Sequence, residues 1–285
     1  MPSPVQAPLR YIDLFSGIGS FHHVLTNEHG AECVLASDSD PHARATYQAW
    51  YGKEVAGRIE DIDVDKLPDY DLVCAGFPCQ PFSLAGHQLG FADHRGTMFS
   101  HVMRFTTRPC CRYVILENVA SLLTHDGGNS FRTICAELKA AGYTTTHAIL
   151  KASDYGLPQM RKRLFIVGVR GADQGVSLDL PHVQTPTMTQ LLGKHFDEKD
   201  IAYTIRCGGR RSGLGNKHNW DTYLVDGQAY VLSPRDCLML QGFPEEWCAT
   251  WEGTESQKYM RLGNTIPTCL ARAVVNALLE WRAEN

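Results

Sequence analysis

Apolar segments alternate with helical segments over the first 170 residues of the chain, and this alternation constrains the fold more than any other feature. The apolar runs predict strands at Arg10–Phe15, Glu32–Ser37, Leu72–Ala75, Tyr113–Glu117 and Leu164–Val169. The segments between them predict helices near Gly19–Glu28, Pro41–Trp50, Thr97–Phe105 and Ser130–Ala141. Strands separated by helices indicate an α/β fold with a doubly wound, mostly parallel sheet, whose ligands bind beyond the carboxyl ends of the strands.

The alternation stops near Gly171. Residues 171–233 combine turns and a basic, glycine-rich stretch with short strand signals at Tyr203–Arg206, Tyr223–Val225 and Ala229–Leu232. Helical patterns return at Pro234–Gln241, with Ser233 as its N-cap, and at Pro267–Trp281. We therefore predict a sheet domain of residues 1–170, a smaller lobe of residues 171–233, and a C-terminal segment of residues 234–285 that returns to the sheet domain.

The composition is ordinary for a globular protein, with 44% apolar and 20% charged residues. No apolar run is long enough to predict a membrane span, and residues 1–8 lack the apolar core of a signal peptide. The ten cysteines form no Cys-x-x-Cys pair, so we expect reduced thiols in an intracellular compartment and no metal site. We also expect the protein to be a monomer. The net charge is −4, but residues 203–220 carry four basic residues and no acid, which suits local binding of phosphate.

Two glycines follow the first predicted strand in the sequence Asp13-Leu-Phe-Ser-Gly17-Ile-Gly19. Such a turn lets a ligand approach the N-terminus of a helix closely. A dinucleotide-binding fingerprint would need a further glycine at position 22, which is His22. Asp38 ends the second predicted strand, where it could bind ribose hydroxyls. The pattern predicts a nucleotide-like cofactor.

A candidate nucleophile and its partners lie at other strand ends. Cys79 stands between two prolines, directly after a predicted buried strand, and prolines stiffen a loop. The alternative for Cys79 is a small buried hydrophobic residue. Glu117 ends another strand and is a candidate acid whose pKa burial would raise. Alternation along the strand places Arg161 and Arg163 on one side, pointing at a shared acceptor.

Together these segments resemble the DNA cytosine-5 methyltransferase family over nearly the whole chain. The matching blocks occur in the family's order: Asp13-Leu-Phe-Ser-Gly-Ile-Gly19, Gly76-Phe-Pro-Cys-Gln80, Glu117-Asn-Val119, Gln159-x-Arg-x-Arg163, Arg235 with Leu240-Gln-Gly-Phe-Pro244, and Gly263-Asn-Thr265. The resemblance implies that residues 1–170 bind the cofactor and catalyse the reaction. It implies that the lobe of residues 171–233 recognises the target.

The resemblance also implies a reaction: transfer of a methyl group from S-adenosyl-L-methionine to C5 of a cytosine that is flipped out of a short, specific sequence of double-stranded DNA. Cys79 would attack C6 of the base, and Glu117 would protonate or hydrogen-bond N3. Arg163 would hold the O2 oxygen with the help of Arg161. Asn118 would brace the loop that carries the cysteine.

The cofactor would leave as S-adenosyl-L-homocysteine. By the resemblance, its site consists of Phe15, Gly17, Ile18, Gly19, Asp38, Asp61, Pro78 and Asn264. Within it, Asp38 would bind the ribose, Asp61 the adenine amino group, and Asn264 would close the pocket. The chain departs from the family at Ser20, where a further glycine is common, and at His22 and His23, which we expect to face solvent.

DNA contacts are implied in two places. Gln80 and Ser83 lie beside the nucleophile in sequence, and the lobe contributes Arg206, Arg210, Arg211, Lys217 and Asn219 as candidates for phosphate and base contacts. Arg235 would tie the lobe to the sheet domain. A DNA-modifying enzyme of this kind would lie in the cytoplasm or at the nucleoid.

Three other functions are open at this stage. A transfer-RNA cytosine-5 methyltransferase shares the chemistry, but its cysteine motif normally begins Pro-Pro-Cys and it carries a Cys-Phe-Thr insertion, neither of which occurs here. A nicotinamide dehydrogenase shares the fold, but it would need the missing glycine. A catalytically inactive DNA-binding relative would typically lack the thiol or the acid, and this chain has both.

Overall fold

The computed structural model describes residues 7–78, 98–208 and 213–285. Its strands are β1 (Arg10–Leu14), β2 (Glu32–Ser37), β3 (Leu72–Ala75), β4 (Tyr113–Val119), β5 (Tyr143–Lys151), β6 (Lys162–Arg170), β7 (Thr222–Val225) and β8 (Gln228–Val231). Its α-helices are α1 (Ser20–His22), α2 (Pro41–Tyr51), α3 (Met98–Thr106), α4 (Asn129–Ala140), α5 (Met188–Leu192), α6 (Pro234–Leu240), α7 (Glu255–Asn264) and α8 (Thr268–Glu284). A π-helix, His23–Glu28, directly continues α1, so the predicted helix at Gly19–Glu28 consists of two helical forms.

Six strands form one sheet in the order β2-β1-β3-β4-β6-β5. Strands β1 to β4 run parallel to one another, whereas β6 is antiparallel to both β4 and β5. The predicted α/β fold with a mostly parallel central sheet is confirmed. The sequence pattern missed β5, the edge strand, because its consecutive threonines, Thr144 to Thr146, break the apolar run that marks a buried strand.

Both faces of the sheet are covered by apolar side chains. Along β3, Leu72 and Cys74 belong to one buried cluster, and Val73 and Ala75 belong to the cluster on the opposite face. Because successive side chains of a strand point to opposite faces, a strand buried on both faces has to be apolar at every position. This requirement explains why β3 could be predicted from its sequence alone.

The lobe packs with the helices that follow it. A third buried cluster joins Met188, Trp220 and Tyr223 of the lobe to Leu238 of α6 and Leu262 of α7. Helix α6 begins as predicted, with Ser233 as N-cap and Pro234 in the first turn. The division at residues 171, 233 and 234 stays a prediction, since this cluster continues across the boundary at residue 233.

Two elements of the described residues differ from the sequence-based prediction, one in the lobe and one in the C-terminal segment. Residues Tyr203–Arg206 form no strand; instead, Ala202 makes an isolated bridge to Gln159. Helix α7 was not predicted, although its N-terminus carries a capping box formed by Thr254 and Gln257.

Within the described ranges, no helix combines the length and the apolar character needed to cross a membrane. The same ranges contain no cluster of three or more histidine, cysteine, aspartate or glutamate side chains that could hold a metal ion.

Candidate active site

The predicted site residues follow the carboxyl ends of neighbouring parallel strands. Phe15 follows β1, Asp38 follows β2 and Gly76 follows β3. Glu117 lies near the C-terminal end of β4. In a parallel sheet these ends meet at one edge, so the topology brings together residues that are up to 102 positions apart in sequence.

A cavity of about 240 Å³ opens at this edge. Its walls are Phe15, Ser37, Asp38, Ser39, Arg58, Ile59, Glu60, Pro78 and Met98. Three predicted cofactor residues, Phe15, Asp38 and Pro78, therefore lie around one cavity. The segment Arg58–Glu60 was not predicted as part of the site. An ion pair within it joins Arg58 Nη2 to Glu60 Oε1 at 2.8 Å. A strand-end position could not reveal it, because these residues belong to a connection outside the sheet.

The glycine turn is built around Asp38. One carboxylate oxygen of Asp38 accepts a hydrogen bond from the Gly17 backbone nitrogen, and the other accepts from the Asp40 nitrogen, both at 2.8 Å. Burial raises the pKa of Asp38, and these two hydrogen bonds oppose that rise. Gly17 has φ +55°, and the position its Cβ would occupy has no heavy atom within 4 Å. The turn thus leaves an open side, from which a ligand can approach the backbone.

Gly19 meets a different requirement. It has φ +89°, and an added Cβ would overlap the ring of Tyr51. The Tyr51 hydroxyl in turn donates to the Gly19 carbonyl oxygen at 2.9 Å. The glycine is therefore needed for packing against α2 as well as for its backbone conformation. Ile18, predicted as a cofactor contact, is buried in the apolar cluster shared with the lobe.

Each of the three side chains that depart from the family pattern contacts other residues of the fold. The Ser20 hydroxyl donates to the Ile266 carbonyl oxygen at 2.6 Å, which ties the turn to the start of the C-terminal helix. The expectation that His22 and His23 face solvent is wrong. His22 is 4% exposed and its Nδ1 lies 2.7 Å from the Tyr47 hydroxyl, and burial lowers its pKa to about 4. His23 packs edge-on against Trp247.

A buried carboxyl group lies beneath this turn. Asp13 is 1% exposed, and the Tyr47 hydroxyl donates to it over 3.5 Å. Burial, with a smaller contribution from the nearby Asp38, raises the pKa of Asp13 to about 8. Asp13 is consequently neutral between the usual carboxyl pKa and about pH 8, where ordinary carboxyl groups are ionised.

Five predicted cofactor residues are not among the cavity walls: Gly17, Ile18 and Gly19 of the turn, together with Asp61 and Asn264. Asp61 is exposed at the end of the short helix whose other two residues, Ile59 and Glu60, are among the walls. Asn264 ends α7, and its Oδ1 accepts a hydrogen bond from the Cys207 thiol at 2.9 Å. The structure thus places Asn264 at the junction with the lobe.

Glu117 and Arg163 form a buried ion pair. Arg163 Nε donates to Glu117 Oε1 at 2.7 Å, and Glu117 is 8% exposed. Gly76 lies close by, since an added Cβ would lie 3.2 Å from the other Glu117 oxygen. Burial raises the pKa of Glu117, although Arg163 and Arg161 oppose the rise. The guanidinium group of Arg163 therefore orients a carboxyl group whose pKa is raised.

Asn118 points to the segment that precedes the predicted nucleophile. Its Nδ2 donates to the Phe77 carbonyl oxygen at 2.9 Å, and its Oδ1 accepts from the Val119 nitrogen. Phe77 is two positions before Cys79 in sequence. Asn118 therefore makes a contact of the expected kind at Phe77. Cys79, Gln80, Ser83, Arg210 and Arg211 lie outside the described residues.

Arg161 does not share an acceptor with Arg163. It is 1% exposed, and its guanidinium group donates to the carbonyl oxygens of Ile205 and Gly263, at 2.9 Å and 2.7 Å. Burial lowers its pKa to about 9. The prediction that both arginines point at one acceptor is wrong, because β6 begins at Lys162 and Arg161 precedes the regular alternation.

Of the predicted DNA contacts in the described part of the lobe, Arg206 and Lys217 are exposed. Asn219 uses its amide within the lobe: its Nδ2 donates to the Thr222 carbonyl oxygen, and its Oδ1 accepts from the Thr222 nitrogen. Its side chain therefore holds a turn, although Asn219 also lines a second cavity, of about 420 Å³, in the lobe.

The expected link from Arg235 to the sheet domain is not observed. Arg235 Nε donates to Glu245 at 2.9 Å in an exposed pair within the C-terminal segment. The neighbouring Asp236, which is fully buried, joins the lobe instead. It accepts from Lys194 Nζ at 2.8 Å and from the Tyr230 hydroxyl at 2.6 Å.

A mostly parallel sheet with a cavity and a buried acid at its carboxyl edge is the architecture of the S-adenosylmethionine-dependent methyltransferases. Comparison with solved structures agrees: the S. pombe Dnmt2 methyltransferase superposes with a TM-score of 0.74, covering 95% of this chain and 98% of that one at 20% sequence identity. At this identity the similarity establishes the fold alone.

Sequence comparison defines the family. The family described as C-5 cytosine-specific DNA methylase matches residues 9–204 and 204–280. The Type II methyltransferase M.NgoBI of Neisseria gonorrhoeae is 45% identical over 301 residues, covering 94% of this chain and 93% of the relative. The Type II methyltransferase M.HaeII of Haemophilus aegyptius is 44% identical over 306 residues, covering 94% and 92%. The chain belongs to the family of C-5 cytosine-specific DNA methylases.

Proposed function

We propose that the protein transfers a methyl group from S-adenosyl-L-methionine to C5 of cytosine within a short, specific sequence of double-stranded DNA. The observation that carries the proposal is the buried pair of Glu117 and Arg163, at the sheet edge that also holds the 240 Å³ cavity. The pair is part of the Glu-Asn-Val and Gln-x-Arg-x-Arg blocks of this family. We further propose that the protein acts as a monomer inside the cell.

The cavity suits the nucleoside part of the cofactor. Asp38 offers half-buried carboxylate oxygens that can accept hydrogen bonds from ribose hydroxyls, and Phe15 offers a ring for apolar contact. Gly17 leaves the backbone accessible from the open side of the turn. When bound, the cofactor supplies an electrophilic methyl group and leaves as S-adenosyl-L-homocysteine.

The side chains of the chain make the cytosine ring reactive. Cys79 forms a bond from its sulfur to C6, and Glu117, with its raised pKa, delivers a proton or a hydrogen bond to N3. C5 thereby gains the electron density that it needs to accept the methyl group. A base then removes the C5 proton, and the electrons of the C5–H bond form the C5–C6 double bond as the thiolate leaves C6, which restores the aromatic ring. Arg163 orients Glu117 and offers donors to the O2 oxygen.

The bound cytosine has to leave the DNA helix, because C6 of a stacked base is shielded by its neighbours. Arg206 and Lys217 are exposed on the lobe and can contact phosphates beside the everted base. We assign Gln80, Ser83, Arg210 and Arg211 to the same contact surface on the basis of the family resemblance alone.

The experiment that tests the proposal follows methyl transfer from labelled S-adenosyl-L-methionine to duplex DNA. The variant Cys79→Ala should lose transfer and keep cofactor binding, because it lacks the attacking sulfur. Cys135→Ala is a matched control, since that thiol lies on α4. DNA that contains 5-fluorocytosine should trap the wild-type protein covalently, since fluorine does not leave C5 as a proton does. Full activity of Cys79→Ala would contradict the assigned role.

The second candidate, methylation of transfer RNA, shares every catalytic step. The relatives with 44–45% identity are Type II methyltransferases, and the family model is one of DNA methylases, which favours DNA. Equimolar duplex DNA and transfer RNA should be tested side by side. Bisulfite sequencing of DNA from cells that express the chain then reveals the recognised sequence. Transfer to RNA alone would replace the proposal with the second candidate.

A further inference from the structure

The backbone of residues 202–208, here called the lobe rail, is held from two sides. On one side it runs beside the segment that leads into β6: the Met160 nitrogen donates to the Ala202 carbonyl oxygen at 2.7 Å, and the Ala202 nitrogen donates to the Pro158 carbonyl oxygen at 2.8 Å. On the other side lies the C-terminal end of α7. The rail therefore contacts both the segment that leads into β6 and the C-terminal segment.

Two fully buried side chains bind both backbone groups of one residue in the rail. The Ile205 nitrogen donates to Gln159 Oε1 at 3.2 Å, and the Ile205 carbonyl oxygen accepts from Arg161 Nη1 at 2.9 Å. Gln159 is 0% exposed, and its Nε2 also donates to the Leu240 carbonyl oxygen at the end of α6. Alternate residues of one short segment thus fix the position of Ile205.

Arg161 also connects the rail to α7. Its Nη2 donates to the Gly263 carbonyl oxygen at 2.7 Å. Gly263 itself packs directly against the rail, because an added Cβ would overlap the Cys207 backbone nitrogen. Nη1 and Nη2 of Arg161 thus donate to two neutral carbonyl oxygens from separate parts of the chain. Burying a charge in this way is expensive, which indicates that the fixed spacing between these two parts matters.

The next alternate residue along the segment reaches the catalytic acid. Arg163 is bonded to Glu117, two positions after Arg161. Arg206, which follows the clamped Ile205, is exposed. One continuous stretch of backbone, residues 159–163, therefore carries both the contacts that hold the lobe rail and the contact that holds the catalytic carboxyl group.

We propose that Arg161 is a positioning residue: with Gln159 it clamps the lobe rail at a fixed distance from the Glu117–Arg163 pair, so that DNA held by the lobe presents its everted cytosine in register with the acid. Arg161 makes no contact with the base in this arrangement. This inference rests on the proposed function, and it names the residue through which recognition by the lobe is coupled to catalysis.

The variant Arg161→Lys tests the clamp, because lysine keeps a hydrogen-bond donor at this position but cannot bridge two carbonyl oxygens in the same geometry. We expect KM for duplex DNA to rise by about 10- to 100-fold, the range that the loss of hydrogen bonds to a charged group corresponds to. The preference for the recognised sequence over a sequence with one base changed should fall as well. The dissociation constant of S-adenosyl-L-methionine should stay unchanged. A fall in kcat at unchanged KM and unchanged preference would overturn the proposal, since that pattern belongs to a residue that contacts the reacting base.

A second variant attacks the same junction without removing the arginine. Gly263→Ala adds a methyl group that overlaps the rail at Cys207, so it should reproduce the rise in KM and the loss of preference. Gly57→Ala is the matched control, because no heavy atom lies within 4 Å of its added Cβ. If Gly263→Ala behaves like Gly57→Ala, the rail does not need its fixed position and the proposal fails.

Hydrogen exchange separates this proposal from the proposed function. The Ile205 amide should be strongly protected in the wild-type protein and should exchange at least about tenfold faster in Arg161→Lys, whatever reaction the protein catalyses. If the wild type fails to methylate DNA while the Ile205 amide behaves in this way, the reaction is wrong and the clamp remains. If exchange at Ile205 is unchanged in the variant, the clamp is refuted independently of any assay of activity.

Discussion

The catalytic edge of the sheet and the junction with the lobe both contain buried polar side chains, but they use them differently. At the edge, Asp38 lines a cavity and Glu117 is paired with Arg163, and burial raises the pKa of both carboxyl groups. At the junction, Gln159 and Arg161 are bonded to backbone groups of other segments. The comparison teaches that burial and charge do not identify a ligand-binding residue by themselves. A ligand-binding residue is identified by hydrogen-bonding atoms that face a cavity.

Replacement of Glu117 should have the largest effect on the edge side of the comparison. We expect Glu117→Gln to lower kcat by about 10²- to 10³-fold, the typical loss when an electrostatic or proton-donating group is removed from an active site. Cofactor binding should persist, because Glu117 is not among the cavity walls. Single-turnover methyl transfer measures the loss, with Glu280→Gln on the exposed side of α8 as the control. An unchanged rate would remove Glu117 from the mechanism.

Asp38 and Asp61 allow a matched comparison of two predicted cofactor contacts. Asp38→Asn should raise the dissociation constant of S-adenosyl-L-methionine by about tenfold, since it weakens the hydrogen bonds that the carboxylate makes. Asp61→Asn should change that constant by less than about twofold, because Asp61 is exposed and does not line the cavity. Isothermal titration calorimetry measures both. A larger effect at Asp61 would restore the adenine contact that the family resemblance implies.

Asp13 predicts a dependence of stability on pH. Its pKa is raised from 3.8 to about 8 in the folded protein, so its contribution to stability is fully present below pH 3.8 and is lost as the pH rises towards 8. Relative to Asp13→Asn, which does not titrate, the wild type should lose about 1.4 kcal/mol of unfolding free energy per pH unit inside this window. Urea unfolding of both proteins at pH 5, 6 and 7 measures the difference. Parallel pH profiles would show that Asp13 is ionised in the folded state.

Arg235 should give the smallest effect and completes the contrast with Arg161. Its ion pair with Glu245 is exposed on both sides, and such pairs contribute at most about 1 kcal/mol. Arg235→Ala should therefore leave KM for DNA unchanged and barely shift the unfolding midpoint. If it instead raised KM as Arg161→Lys is expected to do, the lobe would be held by Arg235, as first predicted, rather than by the buried clamp.

The strands of the sheet show how far local sequence can predict structure. β3 has the predicted bounds, because a strand buried on both faces must be apolar throughout. β2 also has the predicted bounds, although it is an edge strand with Glu32 exposed. The other edge strand, β5, was missed, since threonine and histidine occupy several of its exposed or partly exposed positions. In the lobe, packing between distant segments holds residues 202–208, and no local pattern in the sequence reveals such packing.

The sequence by itself determined the family, the strand-end positions of Asp38 and Glu117, and the residue types that the chemistry needs. These follow from local patterns, because strand ends and motif blocks are written in neighbouring residues. Only the tertiary structure decided that Arg163 serves the acid while Arg161 serves the lobe. The carbonyl oxygens that capture Arg161 lie 44 and 102 positions away in sequence, so the chain has to fold before those partners exist.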